Sequence, residues 1–176
     1  MPRTAGTPWQ PWALPGPEPY DKRGIYMNHL IFVCTGNTCR SPMAAALCRK
    51  LAEERGLAGL AIESMGLAAS PGDPASPAAV AALKERGLDI AGHRARQADP
   101  ETLLAADHIV CMSRSHRMIL EGAGIPAEKI TVLGVGIPDP FGGSLADYRA
   151  CRDAIEAALP GLLDSLYPLD ETGEQP

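Results

Sequence analysis

The stretch from His29 to Gly56 constrains the fold more than any other part of the chain. His29-Leu-Ile-Phe-Val-Cys34 is an unbroken apolar run rich in β-formers and reads as a buried strand. Thr35-Gly36-Asn37 stops it, and Ser41-Pro42 then offers a capping hydroxyl and a proline suited to the first turn of a helix. Met43, Ala44, Ala46, Leu47, Leu51 and Ala52 form the apolar side of that helix, which should end near Gly56. A strand that feeds a helix through a short loop is the first half of a β-α-β unit, so a parallel sheet is expected.

The same alternation continues. Ala61 to Met65 reads as a second strand, and Pro74 to Arg86 as a helix stopped by Gly87. Asp99-Pro100 opens a short helix, His108 to Met112 is a third strand, Ser113 to Leu120 a helix, and Lys129 to Leu133 a fourth strand. Leu145 to Leu166 has the pattern of a long last helix, with a bend expected at Pro160-Gly161. The expectation is an α/β sandwich of three layers, in which active residues gather at the carboxyl ends of the strands.

Composition bounds what such a domain does. The chain has 176 residues, 45% hydrophobic and 21% charged, which suits one core-forming unit rather than a disordered chain. No apolar run spans a bilayer and no signal peptide is evident, so no membrane association is expected. A net charge of −5 disfavours a nucleic-acid surface and leaves room only for a local anion site. Five cysteines without a regular framework suit a reducing cytoplasm, and Cys34 and Cys39 lack a neighbouring ligand pair for zinc. Residues 1–28 hold six prolines and both tryptophans, Trp9 and Trp12, and read as an extension. Residues 29–167 then form the body and 168–176 a polar tail containing Asp170, Glu171 and Glu174.

The chemistry lies in Cys34-Thr35-Gly36-Asn37-Thr38-Cys39-Arg40-Ser41, where a cysteine and an arginine flank five residues. Backbone N–H groups of such a loop converge on a phosphate, and the following helix adds its positive end. Gly36 is expected to permit the tight path, and Arg40 to clamp two oxygens and the charge of a trigonal-bipyramidal transition state. Cys34, at the base of these donors, is favoured as a thiolate nucleophile; by itself it could equally finish a strand as core packing. Ser41 is read as a donor to that thiolate or as a helix N-cap, and Asn37 as a loop clasp.

These residues, with Pro42-Met43-Ala44 after them and Asp139-Pro140-Phe141-Gly142-Gly143 downstream, resemble the low-molecular-weight protein tyrosine phosphatase family. Within it the chain is most similar to the bacterial protein-arginine phosphatases. The resemblance covers roughly residues 29 to 167. It implies a flavodoxin-like fold with a four-stranded parallel sheet in the order 2-1-3-4, a phosphocysteine intermediate, and no metal or cofactor. Its substrates would be phosphorylated proteins, and the chain a monomer with at most weak self-association.

An unstabilised leaving group needs a proton, and the family pattern places the general acid at Asp139, which on local grounds alone is a turn residue before proline. The resemblance carries over Ser64 and His93 as polar support for the loop, beside Asn37 and Ser41; locally they read as a strand-end hydroxyl and a surface turn residue. Thr38 stands where tyrosine-selective relatives commonly carry a larger aliphatic residue, and Phe141 with its glycines replaces their Tyr-Tyr; both favour phosphoarginine over phosphotyrosine. Thr38 could otherwise serve only to shape the loop. Cys39 is a possible disulfide partner of Cys34 under oxidation, as in relatives with a cysteine here. His108 and His116 read as solvent-facing or helix-end residues, and Cys48, Cys111 and Cys151 as core or surface thiols. The alternatives are a tyrosine phosphatase, an arsenate reductase, which needs two further redox cysteines close together, and a non-catalytic phosphopeptide-binding module.

Overall fold

The computed structural model describes residues 28–57 and 59–168. Trp9, Trp12, the prolines of the amino-terminal extension and the acidic residues of the polar tail lie outside them. The elements run β1 (Asn28–Cys34), α1 (Arg40–Glu54), β2 (Leu60–Gly66), α2 (Pro77–Lys84), α3 (Pro100–Ala105), β3 (His108–Cys111), α4 (Arg114–Gly122), β4 (Ile130–Val132) and α5 (Leu145–Leu166). The four strands form a parallel sheet in the order β2-β1-β3-β4, as expected.

β1 is central and explains its own sequence. Leu30, Phe32 and Cys34 face a core shared with α1, α2 and α5, while Ile31 and Val33 face the opposite core with Leu103, Ile109, Leu120 and Ile130. A strand covered on both sides has no polar face to display, so its apolar run is continuous. The order of the strands puts β2 and β3 on either side of β1, so the chain steps one way across the sheet from β1 to β2 and then back past β1 to β3. The crevice that opens at the carboxyl end of β1 is the usual ligand position of such sheets.

Local chemistry sets the boundaries. α1 starts one residue earlier than the Ser41-Pro42 signal, at Arg40, and its N-cap position, Cys39, makes no side-chain cap. α2 is shorter than the expected Pro74–Arg86 span: Pro74 pairs with Arg94 in an isolated antiparallel bridge, and the Ser76 amide donates to the Thr38 carbonyl at 2.8 Å. The segment before Pro77 is thus held extended as a brace for the loop after β1. Ser113 caps α4 through the His116 amide, and Ser144 and Asp147 form a reciprocal capping box on α5. α5 runs on through Pro160, carried by buried Leu159, Leu162 and Leu163 on either side.

Candidate active site

Cys34 is the last residue of β1, and the next five residues curl back over its side chain before α1 begins at Arg40. The turn depends on Asn37, whose φ of 55° is left-handed; asparagine tolerates that region better than most residues. Gly36, expected to provide the tight path, has no left-handed φ, and a Cβ there would meet only Thr38 Oγ1 at 3.6 Å. The glycine that the loop does require is Gly66, at the end of β2. A Cβ on it would lie 2.7 Å from the Thr35 carbonyl oxygen and 2.9 Å from the Asn37 amide nitrogen.

The hydrogen-bond directions around Asn37 form a chain that ends on sulfur. The Arg96 amide donates to Asn37 Oδ1 at 2.8 Å, which orients the side-chain amide. Asn37 Nδ2 then donates to Ser41 Oγ at 2.8 Å and to Ser64 Oγ at 2.9 Å. With that lone pair occupied, the Ser41 hydroxyl hydrogen is free for Cys34 Sγ, 3.0 Å away, with the Met65 carbonyl more distant at 3.4 Å. The Asn37 amide adds a second donor to the same sulfur at 3.3 Å. Two donors are thus aimed at one sulfur, next to the amino end of a 15-residue helix. Ser41 therefore serves the sulfur and not the helix cap.

His93 supports the loop from the other side. A carbonyl only accepts, so its Nε2–H donates to the Asn37 carbonyl at 2.7 Å. Burial, with the charges of Arg49, Arg94 and Arg96, holds His93 below the usual imidazole range, so the ring is neutral at neutral pH. Ser64 and His93 thus meet Asn37 and Ser41 in one network.

Arg40 and Asp139 meet across the mouth. Arg40 is buried; its Nη1 donates to the Ile137 carbonyl at 3.2 Å, and its Nη2 lies 3.1 Å from Asp139 Oδ2. Asp139 itself is exposed, and its other oxygen accepts from the Phe141 amide at 3.1 Å, which turns the carboxylate toward the loop. Cys34, Thr35, Gly36, Thr38, Cys39, Arg40, Asp139 and Phe141 line a single cavity of about 220 Å3. That is the volume scale of a small polar head group, and its wall offers one apolar ring, Phe141, which is 78% exposed at the rim.

Cys39, the expected redox partner of Cys34, lines the same cavity and has a contact of its own. Its Sγ lies 3.2 Å from Tyr148 Oη, which also accepts from Ser76 Oγ at 3.0 Å, so the Tyr148 hydrogen belongs to the sulfur. Burial, and then this contact, push the Tyr148 hydroxyl up to about 12. All five cysteines are free and buried. Cys111 and Cys151 sit in the two cores on opposite faces of the sheet, which places them poorly as the close redox pair of an arsenate reductase. Among the described residues no cluster of His, Cys, Asp or Glu could hold a metal ion, and no helix is long and apolar enough to cross a membrane.

Two histidines differ from the sequence reading. His108, in β3, is half-buried and packs edge-to-face on Tyr167 at 5.7 Å between ring centroids. His116 is buried, and its Nε2 lies 2.9 Å from Thr35 Oγ1. α4 follows β3, the neighbour of β1, so its first turn stands beside the phosphate loop. The signal was present in the spacing: His116 and Leu120 are both buried, four residues apart on one face of α4.

The fold and this loop define an α/β protein that sets a buried cysteine at a helix amino end, in a loop suited to an oxyanion. The chain belongs to the family of low molecular weight phosphotyrosine protein phosphatases, which matches residues 29–170. It is 40% identical over 145 residues to a protein-arginine-phosphatase of Geobacillus stearothermophilus, covering 78% of this chain and 95% of that protein. It is 34% identical over 148 residues to low molecular weight protein-tyrosine phosphatase A of Mycobacterium tuberculosis, covering 77% and 90%. Among solved structures, a variant YwlE arginine phosphatase with a phosphorylated active-site serine in place of cysteine superposes with a TM-score of 0.74 at 36% identity, covering 83% of this chain and 99% of the other.

Proposed function

We propose that this chain is a protein-arginine phosphatase. The observation that carries the reading is the convergence of Cys34 Sγ, Arg40 and Asp139 on one cavity, with Thr38 and Phe141 in its wall. The Cys34 thiolate attacks phosphorus and forms the S–P bond as the P–N bond to the guanidine breaks. Asp139 gives its proton to the departing nitrogen, and arginine leaves. The Asp139 carboxylate then takes a proton from water as that water attacks phosphocysteine, releasing phosphate and restoring the thiolate.

Each role has a structural support. The Arg40 fork and the loop amides other than that of Asn37, which donates to Cys34 Sγ, neutralise the phosphoryl oxygens, and Arg40 exchanges its hold on Asp139 for those oxygens when substrate enters. That exchange frees the Asp139 carboxyl to face the leaving nitrogen at the mouth. Ser41, with Asn37, Ser64 and His93 behind it, stabilises the thiolate as attacking group and later as leaving group. The match to protein-arginine phosphatases over nearly their whole length supports the choice of substrate, as does the phosphorylated serine at the nucleophile position of a structural relative.

Thr38 is the residue read as selecting phosphoarginine. It lies in the wall of the cavity, and its β-branch narrows the loop rim while its hydroxyl offers a polar partner for the nitrogen bound to phosphorus. Phe141 supplies a flat apolar wall for the guanidinium. The test is kcat/KM on matched phosphoarginine and phosphotyrosine peptides, with Thr38→Ile beside the native chain. The reading expects the phosphoarginine peptide to be preferred and the preference to move toward the aromatic substrate in Thr38→Ile. Faster phosphotyrosine turnover by the native chain would instead make it a tyrosine phosphatase.

A further inference from the structure

The contact between Thr35 and His116 has no part in the reaction described above, and it carries a consequence for the phosphate site. His116 is buried, and its Nδ1 has no hydrogen-bond partner among the described residues. The ring therefore has two possible tautomers of unequal cost. With the proton on Nδ1, a buried N–H is orphaned; with the proton on Nε2, only an acceptor lone pair is left over. Orphaned buried N–H groups are the rarer and costlier of the two, so the proton belongs on Nε2. Burial, and next the Arg40 charge, hold His116 below the usual imidazole range against the opposing pull of Asp139, so the doubly protonated ring is not the state at neutral pH.

Nε2–H then donates to Thr35 Oγ1 at 2.9 Å, and among the described residues the Thr35 hydroxyl hydrogen is left without an acceptor. Thr35 is exposed and lines the cavity that Cys34, Arg40 and Asp139 also line. We propose that the Thr35 hydroxyl is a further donor to the phosphoryl oxygens, and that His116 is the positioning residue that turns its hydrogen into the cavity. This rests on the reading of the cavity as a phosphoryl site. The neutral ring has a second merit here: it orders the loop beside Arg40 without placing a second cation against the guanidinium. The placement follows from the topology. Because β3 is hydrogen-bonded to β1, the first turn of α4, which follows β3, is brought beside this loop.

Competitive inhibition by inorganic phosphate tests the proposal, with kcat and KM measured alongside on Thr35→Val, Thr35→Ser, His116→Phe and His116→Gln. Thr35→Val keeps the side-chain shape but removes the acceptor of the buried His116 Nε2–H, so its thermal midpoint should fall by a few degrees while its phosphate affinity falls about ten- to hundredfold. Thr35→Ser should retain native affinity. His116→Phe should weaken phosphate by about three- to tenfold, and His116→Gln, which keeps a donor directed at Thr35, should restore it. Native affinity in Thr35→Val would overturn the proposal, and equal affinities in the native chain, His116→Phe and His116→Gln would remove His116 from it. If the native chain itself neither bound phosphate nor hydrolysed phosphoarginine, the phosphatase reading would fall first, and that result is distinct from either of these.

Discussion

Replacing Gly66 by alanine tests how tightly the phosphate loop is built against the sheet. The new Cβ would stand 2.7 Å from the Thr35 carbonyl oxygen, 2.9 Å from the Asn37 amide nitrogen and 2.9 Å from Ala69 Cβ. The first two are loop backbone and cannot rotate away. Gly66 is itself pinned, since its amide donates to the Arg96 carbonyl at 2.9 Å and its carbonyl accepts from the Ala98 amide at 2.8 Å. Its φ is not left-handed, so the cost is the collision and not the backbone conformation. Overpacking of this kind costs about 1 to 3 kcal/mol, a fall of roughly 3 to 12 °C in Tm for a domain of this size. If the loop moves in place of the strand, the displacement is paid in rate, because an error of about 1 Å in a reacting group can cost about a hundredfold. The assay is therefore paired: a thermal melt, and kcat/KM on a phosphoarginine peptide. A Gly66→Ala variant with native Tm and native kcat/KM would refute the claim that this contact sets the loop.

Asp139→Asn should lower kcat/KM, which reports formation of the phosphocysteine, by about 10² to 10⁴-fold on phosphoarginine and far less on p-nitrophenyl phosphate, since that leaving group departs without a proton; equal losses of kcat/KM on both would remove Asp139 as the acid. Glu63 is held down to about 2 by its hydrogen bond from His29, against the opposing effect of burial and with further help from Arg96. Its stabilising effect is thus complete above the ordinary carboxylate value of 4.5 and is lost as pH falls toward 2, so the Tm gap between the native chain and Glu63→Gln should narrow over that window; a gap independent of pH would contradict it. Peroxide should link Cys34 to Cys39 only after Cys39 leaves Tyr148, so Tyr148→Phe should speed that disulfide in peptide mapping, and an unchanged rate would show that the Tyr148 contact does not restrain Cys39.

Much of the site was legible because its chemistry is local. Cys34, Arg40 and Ser41 lie within one strand-to-helix turn, where spacing alone dictates who faces whom, and the apolar run before them could only be a strand buried on both faces. The resemblance extended this reach to Asp139, Ser64 and His93. What stayed hidden was set by neighbours distant in sequence. Gly66 ends its strand like any turn glycine, and only the parallel pairing of β2 with β1 reveals the backbone pressed against it. Arg96 acts through its amide, which carries no side-chain signature. His116 sits at a helix end as read, but its burial against Thr35 stayed hidden because a histidine in the first turn of a helix does not say which loop lies opposite. Gly36 was credited with the strained position that Asn37 occupies, since glycine is the ordinary choice for a left-handed turn and a buried asparagine with all its side-chain bonds made is the exception.

The account turns on a phosphoryl group passing from a guanidine nitrogen to one sulfur. Single-turnover reaction of the native chain with a phosphoarginine peptide, quenched within the first turnover and mapped by mass spectrometry under conditions that preserve S–P bonds, observes that transfer directly. The account predicts phosphate on the peptide carrying Cys34, rising as free arginine peptide forms and decaying as inorganic phosphate appears. Release of phosphate with Cys34 unmodified throughout, or phosphate found on a different side chain, would contradict it.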